Sequence, residues 1–128
     1  MSFFKTRKLG TIYKDKEIIF KEGDAADNVL LIQEGHVELS INGVSKAVLG
    51  SDDAIGISCI FEPGVRGATA ISIGESRLIK IERTLLVKQI STDPSMMYRI
   101  LKMTVRRLRQ CEAYCRQNMI NEEKKNGS

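Results

Sequence analysis

Nine of the ten glycines lie before residue 75, and none falls between Thr84 and Asn126. A chain cut this often cannot hold long helices in its first two-thirds. It can hold short strands between turns, because glycine takes the left-handed conformations that tight turns need. The glycine-free stretch that follows suits helix. Two architectures therefore follow one another in a chain of 128 residues, which is long enough for a single domain with its own core.

The strands can be placed by their apolar runs. Glu17-Ile18-Ile19-Phe20 ends at the turn Glu22-Gly23-Asp24. Asn28-Val29-Leu30-Leu31-Ile32 is a buried-strand pattern closed by Glu34-Gly35. His36 to Ile41 alternates polar and apolar, the period of a half-buried strand. Asn42-Gly43 follows at once, a strong hairpin signal, and Ser45 to Leu49 is the return strand. Ala68 to Ile73 and Arg77 to Ile81 read as a further pair around Gly74-Glu75-Ser76. Strands this short, with turns every eight to twelve residues or so, point to a sandwich, barrel or jelly roll. The β region is expected over about 10–82.

Beyond it, a short helix is expected over about 83–90. Asp93-Pro94 reads as a polar cap with proline at the first helical position. A long helix follows to about residue 122, and 123–128 is expected to be a flexible tail. Met97, Leu101, Thr104, Leu108, Cys111, Cys115 and Asn118 step by four and three, which is a heptad seam. Its upper half, with Met97, Ile100 and Leu101, is expected to pack on the β region. The lower half is too narrow for a core helix. A second copy of the same helix would cover it, giving a homodimer; a single helix lying on its own β region is the alternative.

Several functions are disfavoured. The formal charge of +4 suits an acidic partner without requiring one. The basic flank from Arg99 to Arg116 holds a single aromatic, Tyr114, and no recognition-helix module to read bases, so nucleic acid is not expected. No apolar run is long enough to span a membrane, and residues 1–10 lack the apolar core of a signal peptide, so the chain reads as cytoplasmic. With three cysteines, no CxxC pair and one histidine, neither a zinc site nor a catalytic triad can be assembled. His36 reads as a solvent-facing turn residue. Cys111 and Cys115 read as small apolar thiols in a helix interface, with a redox switch as the alternative. No enzyme is expected.

One segment stands apart. Gly56 to Ala70 reads GISCIFEPGVRGATA, small and apolar with Arg66 as its one cation. Together with IIFKEGDAADNVLLIQEGHVEL (Ile18 to Leu39) and STDPSMMYRILKMTVRRLRQ (Ser91 to Gln110), it resembles the cyclic nucleotide-binding domain family, the sensor module of catabolite activator proteins. The resemblance covers roughly residues 10 to 118. It implies a mainly β fold with C-terminal helices: a double-stranded β-helix or jelly roll (the cyclic nucleotide-binding β-roll), then a short helix and a long dimerisation helix. It makes Gly56 to Ala70 a phosphate-binding cassette. There Arg66 would clamp a cyclic phosphate, with Gly67 and Ala68 letting the backbone approach and Ser58 adding a hydroxyl.

The resemblance also shows a departure. The family carries an acid after the first glycine, as acceptor for the ribose 2′-hydroxyl, and here that position is Ile57. Asp52, Asp53 and Glu62 do not sit at the matching spacing. The positions that would meet the base fall at Cys111 and Glu112. The expected ligand-binding set is thus Gly56, Ile57, Ser58, Arg66, Gly67, Ala68 and Glu112, with no metal. The implied ligand is cyclic AMP or cyclic GMP, held weakly or in altered fashion. Two functions follow as expectations. One is a stand-alone regulatory domain that senses a nucleotide or other small anion and signals through its helices to an effector protein. The other is a degenerate member acting as a dimeric protein-interaction module. A DNA-binding regulator would need a helix-turn-helix after the long helix, and the sequence stops at Ser128.

Overall fold

The computed structural model describes residues 9–62 and 64–126, without the side chains of 110–112 and 114–126. Eight strands precede two helices: β1 (Thr11–Tyr13), β2 (Ile18–Phe20), β3 (Ala25–Ala26), β4 (Asn28–Ile41), β5 (Val44–Leu49), β6 (Ala54–Ile55), β7 (Gly64–Val65), β8 (Thr69–Glu82), α1 (Arg83–Thr92) and α2 (Pro94–Asn126). A 3-10 turn, Ile57–Ile60, sits between β6 and β7.

The frame is the antiparallel pair β4 and β8, 14 residues each. It runs from Asn28 opposite Glu82 to Ser40 opposite Thr69. The sheet order is β1-β8-β4-β5, with β2 added to β8 and β6 to β4, while β3 and β7 form a separate ribbon. Asn42 and Gly43 both take positive φ, and the hairpin they make pairs Ile41 with Val44, as the Asn-Gly signal predicts.

Two expected breaks are absent. Asn28 to Ile41 is one strand, and the pair expected around Gly74 is one strand too. Each long strand bends without leaving the ladder, and the register slips between Ile32 and His36. Gly35 has φ +93 and lies so close to β8 that a side chain there would strike the Glu75 carbonyl oxygen and Ser76. Across the bend, the buried Ser72 and Ser76 hydroxyls bond each other at 2.6 Å. The turn-like composition of Gly74-Glu75-Ser76 thus serves a bulge, because β4 offers a partner along the whole strand.

The apolar run of β4 serves two cores. Leu30 and Ile32 pack with Val37, Leu49, Ile55, Ala70 and Leu78 inside the roll. Val29 and Leu31 face the other way, toward Ile79, Leu86, Ile100 and Met103. A strand covered on both faces reads as continuous rather than alternating apolar sequence. Each such side chain contributes about 1.5–3 kcal/mol on full burial.

Ile100 and Met103 dock α2 on the β-roll. Met97 and Leu101, expected on that face, are 38% and 60% exposed; Leu101 lies one step around the helix from Ile100. The helix continues to Asn126, past the expected end near residue 122, because Glu122 to Lys125 are good helix formers. The side chains of Cys111, Glu112, Cys115 and Asn118 fall outside the description. His36 is exposed as expected but lies within β4 rather than a turn. Among the described residues, no helix is long and apolar enough to cross a membrane.

Asp93 begins α2. Its Oδ1 accepts from the Ser95 hydroxyl (2.6 Å) and backbone N–H (3.0 Å). The Ser95 hydroxyl bond is the main reason its carboxyl sits below the ordinary aspartate range. A depressed folded value means that the cap's contribution is complete above the unfolded value, about 3.9. It is lost as pH falls through the depressed value. Circular dichroism on acidification should therefore show α2 fraying in the parent below about pH 4. Asp93→Ala should start less helical at neutral pH and lack that acid step.

Candidate functional site

Arg66 is 6% exposed, so its side chain is buried rather than pointing at water. The cause is local. The Arg66 backbone N–H donates to Asp24 O (2.7 Å) and its carbonyl accepts from Gly23 N–H (2.9 Å), prolonging the β3–β7 ribbon. Side chains alternate along such a ribbon. Val65 points outward, so Arg66 points in.

Inside, Nη2 donates to both Asn28 oxygens, the backbone carbonyl at 2.9 Å and Oδ1 at 2.8 Å. Cζ lies 4.4 Å from the centroid of the Phe20 ring, a cation–π contact. Nε and Nη1 are buried and meet no acceptor among the described residues. Burial pushes the guanidinium below its ordinary value; the charges of Cys59, Asp27 and Asp24 pull the other way. A buried cation with two unanswered donors is a costly arrangement, and an anion is what would complete it.

Gly56 makes room for that cation. It takes φ +85, and a Cβ on it would collide with Arg66 Nη1. The 3-10 turn follows at once, with Cys59 N–H donating to Gly56 O. Cys59 is buried beside Arg66, and burial pushes its thiol up. Its Sγ lies 3.7 Å from Asn28 O, the acceptor that Arg66 also uses.

The other expected residues divide. Ile57 is 7% exposed and belongs to the core beside Leu86, Ile100 and Met103. Its side chain therefore holds the cassette to the helices. Ser58 is exposed and makes no hydrogen bond to the guanidinium. Gly67 has open space where a Cβ would stand, and Ala68 is half-buried. Glu112 lies in α2, and its side chain is outside the description.

A cleft of about 410 Å³ opens between the turn and α2, bounded by Ile57, Ser58, Phe61, Met103, Thr104 and Arg107. Arg107 ties α2 to the cassette by donating to Ala54 O at 2.7 Å. Arg83, the first residue of α1, donates from Nε to Cys59 O (2.6 Å) and from Nη2 to Ile60 O (3.3 Å). Asn28, Phe20, Arg83 and Arg107 were not foreseen as site residues. Their sequence contexts are those of strand or helix, and only folding brings them to the cassette. Among the described residues, no group of three His, Cys, Asp or Glu could hold a metal.

The sequence pattern of the cyclic nucleotide-binding domain matches residues 11–93. The chain belongs to this family. The CRP-like cAMP-activated global transcriptional regulator of Mycobacterium tuberculosis is 29% identical over 97 residues, covering 72% of this chain and 43% of the regulator. The Cyclic AMP receptor protein of Thermus thermophilus is 25% identical over 117 residues, covering 88% of this chain and 52% of that protein. The chain thus spans about half the length of these relatives. In fold it is similar to the c-di-GMP responsive global regulator of Xanthomonas campestris, with a TM-score of 0.76, 19% identity, and coverage of 84% of this chain and 57% of that one. The mainly β roll with two C-terminal helices is therefore the family's fold. The Mycobacterium tuberculosis and Xanthomonas campestris proteins are named as regulators, and the Thermus thermophilus one as a receptor.

Gly56→Ala should force Arg66 from its seat and strain the backbone as well. A loss of about 1–3 kcal/mol is expected in urea unfolding. Gly64→Ala, where an added Cβ meets nothing, serves as the control and should unfold like the parent.

Proposed function

We propose that this chain is a regulatory module that binds a small phosphodiester anion, cyclic AMP or cyclic GMP, through Arg66. The buried guanidinium with Nε and Nη1 lacking acceptors carries this reading. A phosphate oxygen pair offers the charge and the acceptors that those donors lack. The Mycobacterium tuberculosis relative is named as cAMP-activated, which supports the same ligand here. Ile57 has no acceptor to offer a ribose hydroxyl. A lost hydrogen bond of about 1–3 kcal/mol corresponds to affinity lower by up to roughly a hundredfold.

Occupancy would be passed to the helices by three contacts. Arg83 joins α1 to the turn carbonyls, Ile57 packs against Ile100 and Met103, and Arg107 joins α2 to β6. A ligand that favours one placement of the turn thereby biases the helices. The module acts on an effector protein rather than by chemistry of its own.

Calorimetric titration with cyclic AMP and cyclic GMP to millimolar concentration tests the reading. Saturable heat is expected for the parent, none for Arg66→Ala, and at least tenfold weaker binding for Arg66→Lys, which keeps the charge but not the planar donors. Equal affinity in parent and Arg66→Ala would refute the clamp.

A second reading is favoured by the surface of α2. Tyr98, Leu101, Val105 and Leu108 are all exposed and step by three, four and three along one face. Such a stripe suits a dimeric interaction module. Sedimentation of Leu108→Asp should then show a lighter species than the parent, and equal mass for the two would remove this face from the interface.

A further inference from the structure

We propose that Asn28 is the positioning residue of the Arg66 anion site, and that its neutrality keeps the guanidinium's charge available to a ligand. The inference builds on the reading of Arg66 as an anion clamp. Its ground is that one residue supplies both acceptors of Nη2, at 2.9 and 2.8 Å, while no other described group bonds the guanidinium. Two acceptors on a single nitrogen fix the plane of the group, and Phe20 supports one face of it. Nε and Nη1 are then left to whatever enters.

The amide is itself oriented. Asn28 Nδ2 donates to Asp27 Oδ1 at 3.1 Å, which turns Oδ1 toward Arg66. An amide is suited to this place in a way that neither a carboxylate nor an alkyl group is. A carboxylate at 2.8 Å would pair with the cation and satisfy the charge that a ligand should meet. An alkyl group would leave the backbone carbonyl as the sole anchor, and the guanidinium would turn. Asn28 opens β4 opposite Glu82, so the ladder fixes its backbone independently of its side chain.

The variants are Asn28→Ala and Asn28→Asp, and the probe is cyclic AMP. Affinity should fall about tenfold in Asn28→Ala and about a hundredfold in Asn28→Asp, an order set by charge. Melting temperature of the free proteins provides the control for a structural role: there the losses would follow stability and not charge. Asn28→Asp binding as tightly as the parent, or Asn28→Ala binding more tightly, would overturn the proposal. A ligand-free readout separates this idea from the clamp reading. In arginine side-chain nitrogen NMR, the Arg66 Nη signals should be resolved in the parent and averaged by rotation in Asn28→Ala. If the parent takes up no cyclic AMP, the clamp reading fails, while these signals still decide Asn28. Averaged Nη signals in the parent would overturn the positioning role.

Discussion

Pairing of β4 with β8 sets where the rest of the molecule lies. It holds Asn28 opposite Glu82, so the start of one long strand meets the end of the other. The residue after Glu82 is Arg83, which reaches the turn, and Asn28 receives Arg66. One ladder thus brings the cassette, the start of α1 and the guanidinium's acceptors to the same end of the roll. The cost of bending two strands of this length is met locally by Gly35 and by the serine pair across from it.

Within that frame Arg66 is the group most at odds with its surroundings. Burying a cation against an amide, a carbonyl and an aromatic ring leaves much of its hydration uncompensated. A protein whose only concern was stability would gain by an apolar residue there. Retaining the cation makes sense where something enters to meet it. Ile57 points the opposite way. Its side chain joins the core that carries Ile100 and Met103, so the cassette is held to the helices by packing as well as by polar bonds.

Much of the fold was legible because its signals are local. Asn42-Gly43 prefers positive φ regardless of partners, and Asp93-Pro94 starts a helix from its own chemistry. The run Val29 to Ile32 declares burial on two faces. Gly74-Glu75-Ser76 misled for the same reason: it reads as a turn by composition, and the continuous partner strand that makes it a bulge is distant in sequence. Short β3 and β7 carry no pattern of their own and exist because they pair with each other.

For the site, sequence by itself determined that a lone arginine stands in a small, glycine-punctuated segment, and the family follows from that segment with its flanking motifs. Glycine at 56 is a requirement that sequence hints at and contact explains. Only the tertiary structure decided that Arg66 turns inward, that Asn28 and Phe20 receive it, and that Ile57 belongs to the core. The direction of a side chain on a two-residue ribbon depends on which strand it pairs with. The acceptors of a buried cation lie 38 residues away along the chain. Neither is a property of the local sequence, because both arise from the long-range pairing that closes the roll.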